Sequence, residues 1–312
     1  MVSIASSNLI RERTLNFCKS IKDWKLKIDN SELFSKITEV LDKEYGIIPE
    51  KERIGKGILY ISRFVSQGIF EYIKKLGLID KEYITIFTQA IFDYGKEKDS
   101  LITKHFALVF LSDFILNFPQ EMDSVIPLIE FWVNSDEWDV RETILICIIN
   151  GLKKDGKNTL ELVKKWAKDK NEKFRRGATE SLRPRAELKW LRNPSKNDII
   201  LDILTDLNKD PSIYVRKSVG NNLKDLTKYM PEKILSLMEK WIKNSGIRVH
   251  DALASEEGLS EEEKRLIWTI KHAMRWIKNK NPEFYPRLEK ILGKNYVLYF
   301  DEKKNRLANP KR

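Results

Sequence analysis

Val140-Arg141-Glu142-Thr143-Ile144, Phe174-Arg175-Arg176-Gly177-Ala178 and Val215-Arg216-Lys217-Ser218-Val219 share one pattern. An apolar residue is followed by arginine, a variable pair, and further apolar or small positions at helical spacing. Ile270-Lys271-His272-Ala273-Met274 is a looser copy, and Thr103-Lys104-His105-Phe106 a poorer one. The basic positions 104, 141, 175, 216 and 271 are separated by 37, 34, 41 and 55 residues. The first three intervals suit a repeat of two helices, and the last implies an insertion. A helix pair of this size cannot bury its own apolar face, so neighbours must stack.

The rest of the chain agrees with helices. Val125, Ile129, Trp132 and Val133 fall on one helical stripe, Leu160, Val163, Trp166 and Ala167 on another, and Ile234, Leu237, Met238, Trp241 and Ile242 on a third. Ser260 with Glu263 three residues later reads as a capping box ahead of Leu266, Ile267 and Ile270. Pro119, Pro231 and Pro282 fall between periodic stretches, where proline ends or starts a helix. Strand-like alternation is almost absent. The expected fold is therefore all-α, a HEAT-like helical-repeat solenoid. Asp169 precedes Arg175 by six residues, and Asp210 precedes Arg216 by six, so acids at the turns can pair with arginines along the stack. The second helices line the concave face of such a solenoid, and the repeated basic residues are expected there. The expected organisation is a helical region at 1–100, a repeat domain at 101–293 and a basic tail at 294–312 that includes Lys303, Lys304, Arg306, Lys311 and Arg312.

Composition narrows the chemistry. Hydrophobic residues at 42% give a real core, and 57 Lys+Arg against 46 Asp+Glu give a net charge of +11. Cys18 and Cys147 form no C-x-x-C pair, which excludes a zinc ribbon or disulfide scaffold, and Cys147 in an apolar run reads as core. His105, His250 and His272 lie far apart, so neither a metal nor another cofactor is expected. No apolar run approaches the roughly 18 residues of a membrane span, and no secretory signal is visible, so the expected compartment is the cytoplasm. Residues 164–192 hold 11 Lys/Arg and four Asp/Glu, a net of +7, interleaved with Trp166, Phe174 and Trp190. Clustered cations beside aromatics suit a polyanion whose phosphates they neutralise, while the plainer alternative is a solvated helical face over core tryptophans.

These residues resemble a known family. Phe174-Arg175-Arg176-Gly177-Ala178-Thr179-Glu180-Ser181-Leu182-Arg183-Pro184-Arg185 is similar to a signature of AlkC-type DNA glycosylases. Asp210-Pro211-Ser212-Ile213-Tyr214-Val215-Arg216-Lys217-Ser218-Val219-Gly220-Asn221-Asn222-Leu223-Lys224-Asp225 resembles the family stretch D-x-S-x-Y-V-R-x-S-V-A-N-x-L-N-D, and is the most specific match. Lys228 to Pro231 resembles K-x-x-P, and Trp268-Thr269-Ile270-Lys271-His272-Ala273-Met274-Arg275 resembles W-x-x-R-H-A-L-R. Trp132 to Arg141 looks like the W-x-x-S-D-x-x-W-x-x-R turn of the sister AlkD-type enzymes. The resemblance spans residues 100–293, and the first hundred residues match nothing nameable. There are departures: Gly220 stands for the family's Ala, Lys224 for its Asn, and Arg183-Pro184-Arg185 runs on to Trp190 without the second proline and with two residues added.

The resemblance implies HEAT-like repeats wrapping duplex DNA and excision of cationic N-alkylated purines such as 3-methyladenine or 7-methylguanine by a monofunctional, metal-free glycosylase, and the protein is expected to be a monomer. It implies Glu180, Asp225 and Asp136 or Glu137 as the acids. Trp132, Trp138 and Trp190 are the candidate stacking faces for the base. Arg141, Arg175, Arg176, Arg183, Arg185, Arg216, Lys217, Lys271 and Arg275 are the candidate contacts to alkylated DNA. A base alkylated at N3 or N7 already carries positive charge and leaves without a strong acid. Carboxylates are then needed for the developing oxocarbenium sugar and for water. The enzyme requires Glu180 and Asp225 to converge in one cleft flanked by arginines, and fails if they face apart or are each buried in an ion pair. The alternative is a non-catalytic helical-repeat module that binds nucleic acid or a protein. On the residues alone, Asp225 pairing with Lys228, and Glu180 pairing with Arg176 and Arg183, are equally natural helix-face ion pairs.

Overall fold

The computed structural model describes residues 6–24, 31–154, 156–185, 187–247, 258–280 and 282–292. His250 and the basic tail at 294–312 lie outside the described residues. Every regular element among the described residues is helical, and the fold is an all-α helical repeat. No single helix among them is long and apolar enough to cross a membrane. The chain falls into two units, Met1–Thr159 and Leu160–Arg312.

The first unit contains α1 (Ser7–Ser20), α2 (Ser31–Ile47), α3 (Ile58–Lys75), α4 (Lys81–Glu97), α5 (Leu101–Asn117), α6 (Met122–Val133) and α7 (Trp138–Lys154). Ser6, Asp80 and Ser100 start α1, α4 and α5 by accepting a hydrogen bond from the backbone N–H three residues on. Packing skips one helix at a time: α1 on α3, α3 on α5 and α5 on α7, with α2, α4 and α6 forming a second row. Residues 102–115 of α5 are all buried. That helix is apolar on every side because α3, α4 and α7 surround it. The stretch before residue 100 thus packs directly on α5. Arg13 donates to both carboxylate oxygens of buried Glu44 (2.7 and 2.5 Å), joining α1 to α2.

α8 (Gly156–Ala167) leads into the second unit, which holds α9 (Glu172–Ser181), α10 (Asp198–Asp206), α11 (Ile213–Leu226), α12 (Pro231–Ser245), α13 (Glu261–Ala273), α14 (Arg275–Lys280) and α15 (Tyr285–Leu292). Here α9 packs on α11 and α11 on α13, the same alternation. Ser260 and Glu263 form the expected capping box of α13, and Pro231 is the first residue of α12. Arg287 of α15 pairs with Glu232 and Glu239 of α12.

The repeated arginines do one job in common. Nη1 of Arg141 donates to the carbonyls of Ser135 (2.7 Å) and Asp136 (2.8 Å). Nη1 of Arg175 does the same to Asp169 (2.9 Å) and Lys170 (2.8 Å), and Nη1 of Arg216 to Asp210 and to Pro211 (2.9 Å). In each case the arginine reaches back five and six residues and satisfies the carbonyls of the turn before its own helix, which helix geometry leaves open. The remaining nitrogens of Arg175 run along the stack: Nε and Nη2 donate to Asp210 at 2.6 and 3.0 Å. Lys104 pairs with Glu137 in the equivalent way in the first unit. One Asp–Arg rung, Arg175–Asp210, and one Lys–Glu rung, Lys104–Glu137, are therefore present. The placement of the repeated basic residues on an open groove is not: Arg216 and Lys271 are 8% and 5% exposed, and Arg175 has all three nitrogens committed to the turn and Asp210. As positioned, these three are not phosphate ligands.

Removing one partner of a buried pair leaves the other uncompensated, so Asp210→Ala is expected to lose about 3–5 kcal/mol of stability. In urea titrations its midpoint should fall with an unchanged slope, and the Arg175→Ala/Asp210→Ala double variant should lose less than the sum of the singles. Additive losses would mean that the Arg175–Asp210 rung does not couple the turns.

Candidate active-site cleft

α9 ends because Arg183 precedes Pro184, whose ring disfavours helical backbone at the residue before it. Leu182 caps the helix, and the chain turns out through Arg183-Pro184-Arg185. That exit carries two cations past the end of α9 toward the last turn of α11, where Asp225 sits. Arg183 Nη2 donates to Asp225 Oδ2 at 2.5 Å, and its Nη1 lies 3.4 Å from Glu180 Oε2. One guanidinium thus joins the two acids singled out in the sequence.

Their surroundings differ. Glu180 is 2% exposed. Ser218 of α11 donates to its Oε1 (3.0 Å), Arg176 lies 3.3 Å from the same oxygen, and Arg185 approaches Oε2 at 3.9 Å. Arg176 is itself fixed, donating to the Tyr214 carbonyl (2.8 Å) with its guanidinium 4.1 Å from the Tyr214 ring centre. Asp225 instead borders an open cleft of about 570 Å³ lined by Arg183, Pro184, Arg185, Arg192, Lys224, Lys228 and Tyr229. Lys228 donates to its Oδ1 (3.1 Å), and Lys224 Nζ is 3.4 Å from that oxygen. Burial pushes the Asp225 pKa up, but Arg183, Lys228 and Lys224 outweigh it and hold the carboxyl below the usual range. The cleft therefore presents an ionised carboxylate ringed by five cations. The two acids do converge on one arginine, yet Glu180 is buried in an ion-paired cluster beneath it, and of the pair only Asp225 meets the requirement for an open site.

The other candidates are distributed as follows. Trp132 is 1% exposed and packs on Phe92 with ring centres 5.0 Å apart, so it is core and offers no face to a base. Trp138, 67% exposed at the start of α7, and half-buried Trp190 keep accessible surface. Asp136 is exposed in the turn before α7, and Glu137 pairs with Lys104. Lys217 is exposed. Arg275 donates to Asn221 Oδ1 (2.7 Å) and to the His272 carbonyl (2.7 Å). Arg192, Lys224 and Tyr229 were not singled out as site residues. Arg192 lay inside the basic window, but it reaches the cleft only because it donates to the Pro184 carbonyl (3.0 Å) and sits 4.8 Å from the Tyr229 ring centre. No group of three or more His, Cys, Asp or Glu among the described residues could hold a metal ion.

Gly220 departs from the resemblance for a visible reason. A Cβ there would stand 2.6 Å from Cδ2 of His272, so its absence lets the imidazole of α13 press against α11. His272 stacks on Trp268 (ring centres 4.9 Å apart, planes at 12°), with Nε2 3.2 Å from Asn221 Oδ1. On its other side Trp268 faces the Arg216 guanidinium at 5.4 Å.

Stacked next-but-one helices with a basic cleft at the end of one pair define a helical-repeat protein built around a shared arginine. Residues 71–277 match the family described as DNA alkylation repair enzyme, and the chain belongs to that family. An uncharacterized Bacillus subtilis protein, YhaZ, is 35% identical over 119 residues, which cover 37% of this chain and 28% of that protein's length. Among solved structures, the Pseudomonas fluorescens alkylpurine DNA glycosylase AlkC, bound to DNA containing an abasic site analog, has a TM-score of 0.51 at 20% identity. That match covers 91% of this chain and 68% of AlkC, and it places the two in one fold. AlkD2 from Streptococcus mutans gives a TM-score of 0.48 at 23% identity, over 77% of this chain and 97% of that one.

Burial, with Arg275, Lys224 and Lys217 nearby, drives the His272 pKa from its ordinary 6.5 to about 3. Between those two values the unfolded chain binds a proton at this position that the folded chain does not, so the stability linked to His272 is intact above about 6.5 and declines as pH falls toward 3. His272→Gln should flatten that part of the stability–pH curve measured by thermal or urea unfolding. An unchanged slope would place the acid sensitivity elsewhere.

Proposed function

We infer that this chain is a DNA glycosylase that removes cationic N-alkylated purines, of the 3-methyladenine and 7-methylguanine type, from duplex DNA. One observation carries the reading: Asp225, ionised and open to a cleft, is surrounded by Arg183, Arg185, Arg192, Lys224 and Lys228. Membership of the DNA alkylation repair family supports it.

The division of labour follows from charge. The cations hold the phosphates on either side of the lesion, releasing counterions as they do so. When the C1′–N bond breaks, its electron pair leaves with the base, which departs neutral, and the positive charge moves to the sugar. Asp225 faces that charge and holds the attacking water, whose proton it accepts. Glu180 does not reach the cleft; it acts as a positioning residue, fixing Arg183 and the Ser218 hydroxyl. Trp138 and Trp190 are the remaining aromatic faces for a cationic base. Asp136 and Glu137 belong to the proposal as a second acidic group, carried by the turn before α7. The protein acts as a monomer in the cytoplasm and uses no cofactor.

The test is chromatographic detection of free bases after incubation with methylated duplex DNA. Wild type should release 3-methyladenine or 7-methylguanine. Asp225→Asn should release it about 10²–10³-fold more slowly, the range for losing one preorganised electrostatic group. No release, with salt-sensitive binding retained by both proteins, would leave a DNA-binding module without catalysis. Absence of both release and binding would point to a protein partner.

A further inference from the structure

Lys224 is a departure from the resemblance that the reaction above does not need for its chemistry. Phosphate neutralisation is already served by three arginines and Lys228, and Asp225 already has two closer partners in Arg183 and Lys228. Yet Lys224 lies on the cleft wall with its side chain 25% exposed and its Nζ 3.4 Å from the same carboxylate. A lysine amine in a partly dry site beside a carboxylate has the arrangement that carbonyl chemistry uses: an attacking nitrogen and a proton carrier within reach. Removal of a base leaves a deoxyribose in equilibrium with its open-chain aldehyde. The product of the proposed reaction is therefore an electrophile formed in the cleft that contains this amine.

We propose that Lys224 attacks C1′ of the abasic deoxyribose, giving the cleft a second activity as a lyase that cuts the strand at abasic sites. This rests on the glycosylase reading for the origin of the aldehyde. Lys224 passes one proton to Asp225, and the freed amine forms a bond to C1′ while the carbonyl pair moves to oxygen. The nitrogen gives a second proton to that oxygen, and Asp225 returns the first, so the oxygen leaves as water and an iminium remains. A proton from C2′ then passes to Asp225, and its bonding pair forms the enamine. The enamine expels the 3′ phosphate, with the C3′–O pair leaving on the phosphate oxygen and the iminium re-forming. Water hydrolyses the iminium to an unsaturated aldehyde and regenerates the amine, and the proton on Asp225 goes to solvent. No oxidant, reductant or metal enters the balance.

Burial lowers the Lys224 pKa, Arg275 and Arg183 lower it further, and the attraction of Asp225 counters them only in part. Lys228 shares the carboxylate, but its ammonium lies 4.7 Å from the centre of the Trp276 ring, an arrangement that stabilises its charge. The two lysines of the cleft therefore have different neighbours.

The experiment starts from a duplex made abasic beforehand by enzymatic removal of uracil, so it does not depend on base release by this protein. Full-length protein is incubated with that duplex and borohydride, which reduces an iminium to a stable link. The expected result is a covalent protein–DNA adduct on a denaturing gel, mapped by peptide mass spectrometry to Lys224. Without borohydride, the strand should be cut. Lys224→Arg, which keeps the charge, and Lys224→Ala should lose both signals. Mapping on the wild type decides the site even if a variant folds poorly. Failure to form an adduct while abasic duplex is bound would overturn the proposal, as would an adduct mapped to Lys228 or another lysine. Base release from methylated DNA is scored on the same preparation. Trapping without release would overturn the glycosylase reading and leave Lys224 standing, and release without trapping would do the reverse.

Discussion

The repeat packing depends on where the carbonyls of the turn inside a helix pair find donors. A turn between two helices leaves those oxygens pointing out of the stack with no amide to receive. One arginine, six residues beyond the turn's first carbonyl, supplies Nη1 to two of them at Arg141, at Arg175 and at Arg216. A lysine makes all its bonds from one nitrogen, whereas the planar guanidinium can bond two carbonyls with one nitrogen and a carboxylate with the other two. Arg175 does both at once, closing its own turn and gripping Asp210 of the next. The repeat period in the sequence is the spacing of this device.

That explains which parts of the fold were legible. A guanidinium with fixed reach imposes a fixed offset, so Arg141, Arg175 and Arg216 announce the helix pairs, and Asp169 and Asp210 announce the turns. The same residues misled as to function, because a row of arginines in a basic protein resembles a phosphate-binding stripe until their nitrogens are accounted for. Arg216 and Lys271 are buried, and a one-dimensional pattern cannot show on which side of a helix the neighbour lies. Trp132 and Trp138 were indistinguishable as aromatics near an acid; only packing reveals that one faces Phe92 and the other solvent.

The cleft was half legible for a related reason. Glu180, Arg183, Arg185 and Asp225 stand within motifs, and the chain marks them by a helix-ending Arg-Pro and by the acid closing α11. Lys224 sits beside Asp225 at the end of α11, whereas Arg192 reaches the same place by folding back onto the Pro184 carbonyl eight residues earlier and by lying over Tyr229, 37 residues away. Gly220 shows the converse. It looks like a minor departure in a matched stretch, and its meaning lies 52 residues away in the ring of His272, which needs the space a Cβ would fill.

Arg183 sets the balance on which the site's chemistry turns. Were Glu180 and Asp225 to share a desolvated pocket without it, their like charges would oppose one another and one would take up a proton. With a guanidinium between them, the buried acid fixes the arginine that the open acid uses. The arrangement also keeps the cleft positive overall, since five cations surround one half-buried carboxylate. A polyanion can then enter without being repelled by the acid it must approach. On the proposed reading, a cationic base is repelled by those five cations and attracted by Asp225. On that reading, the rim serves the DNA backbone and the one negative charge serves the sugar carbon, so binding and chemistry divide within a span of a few side chains.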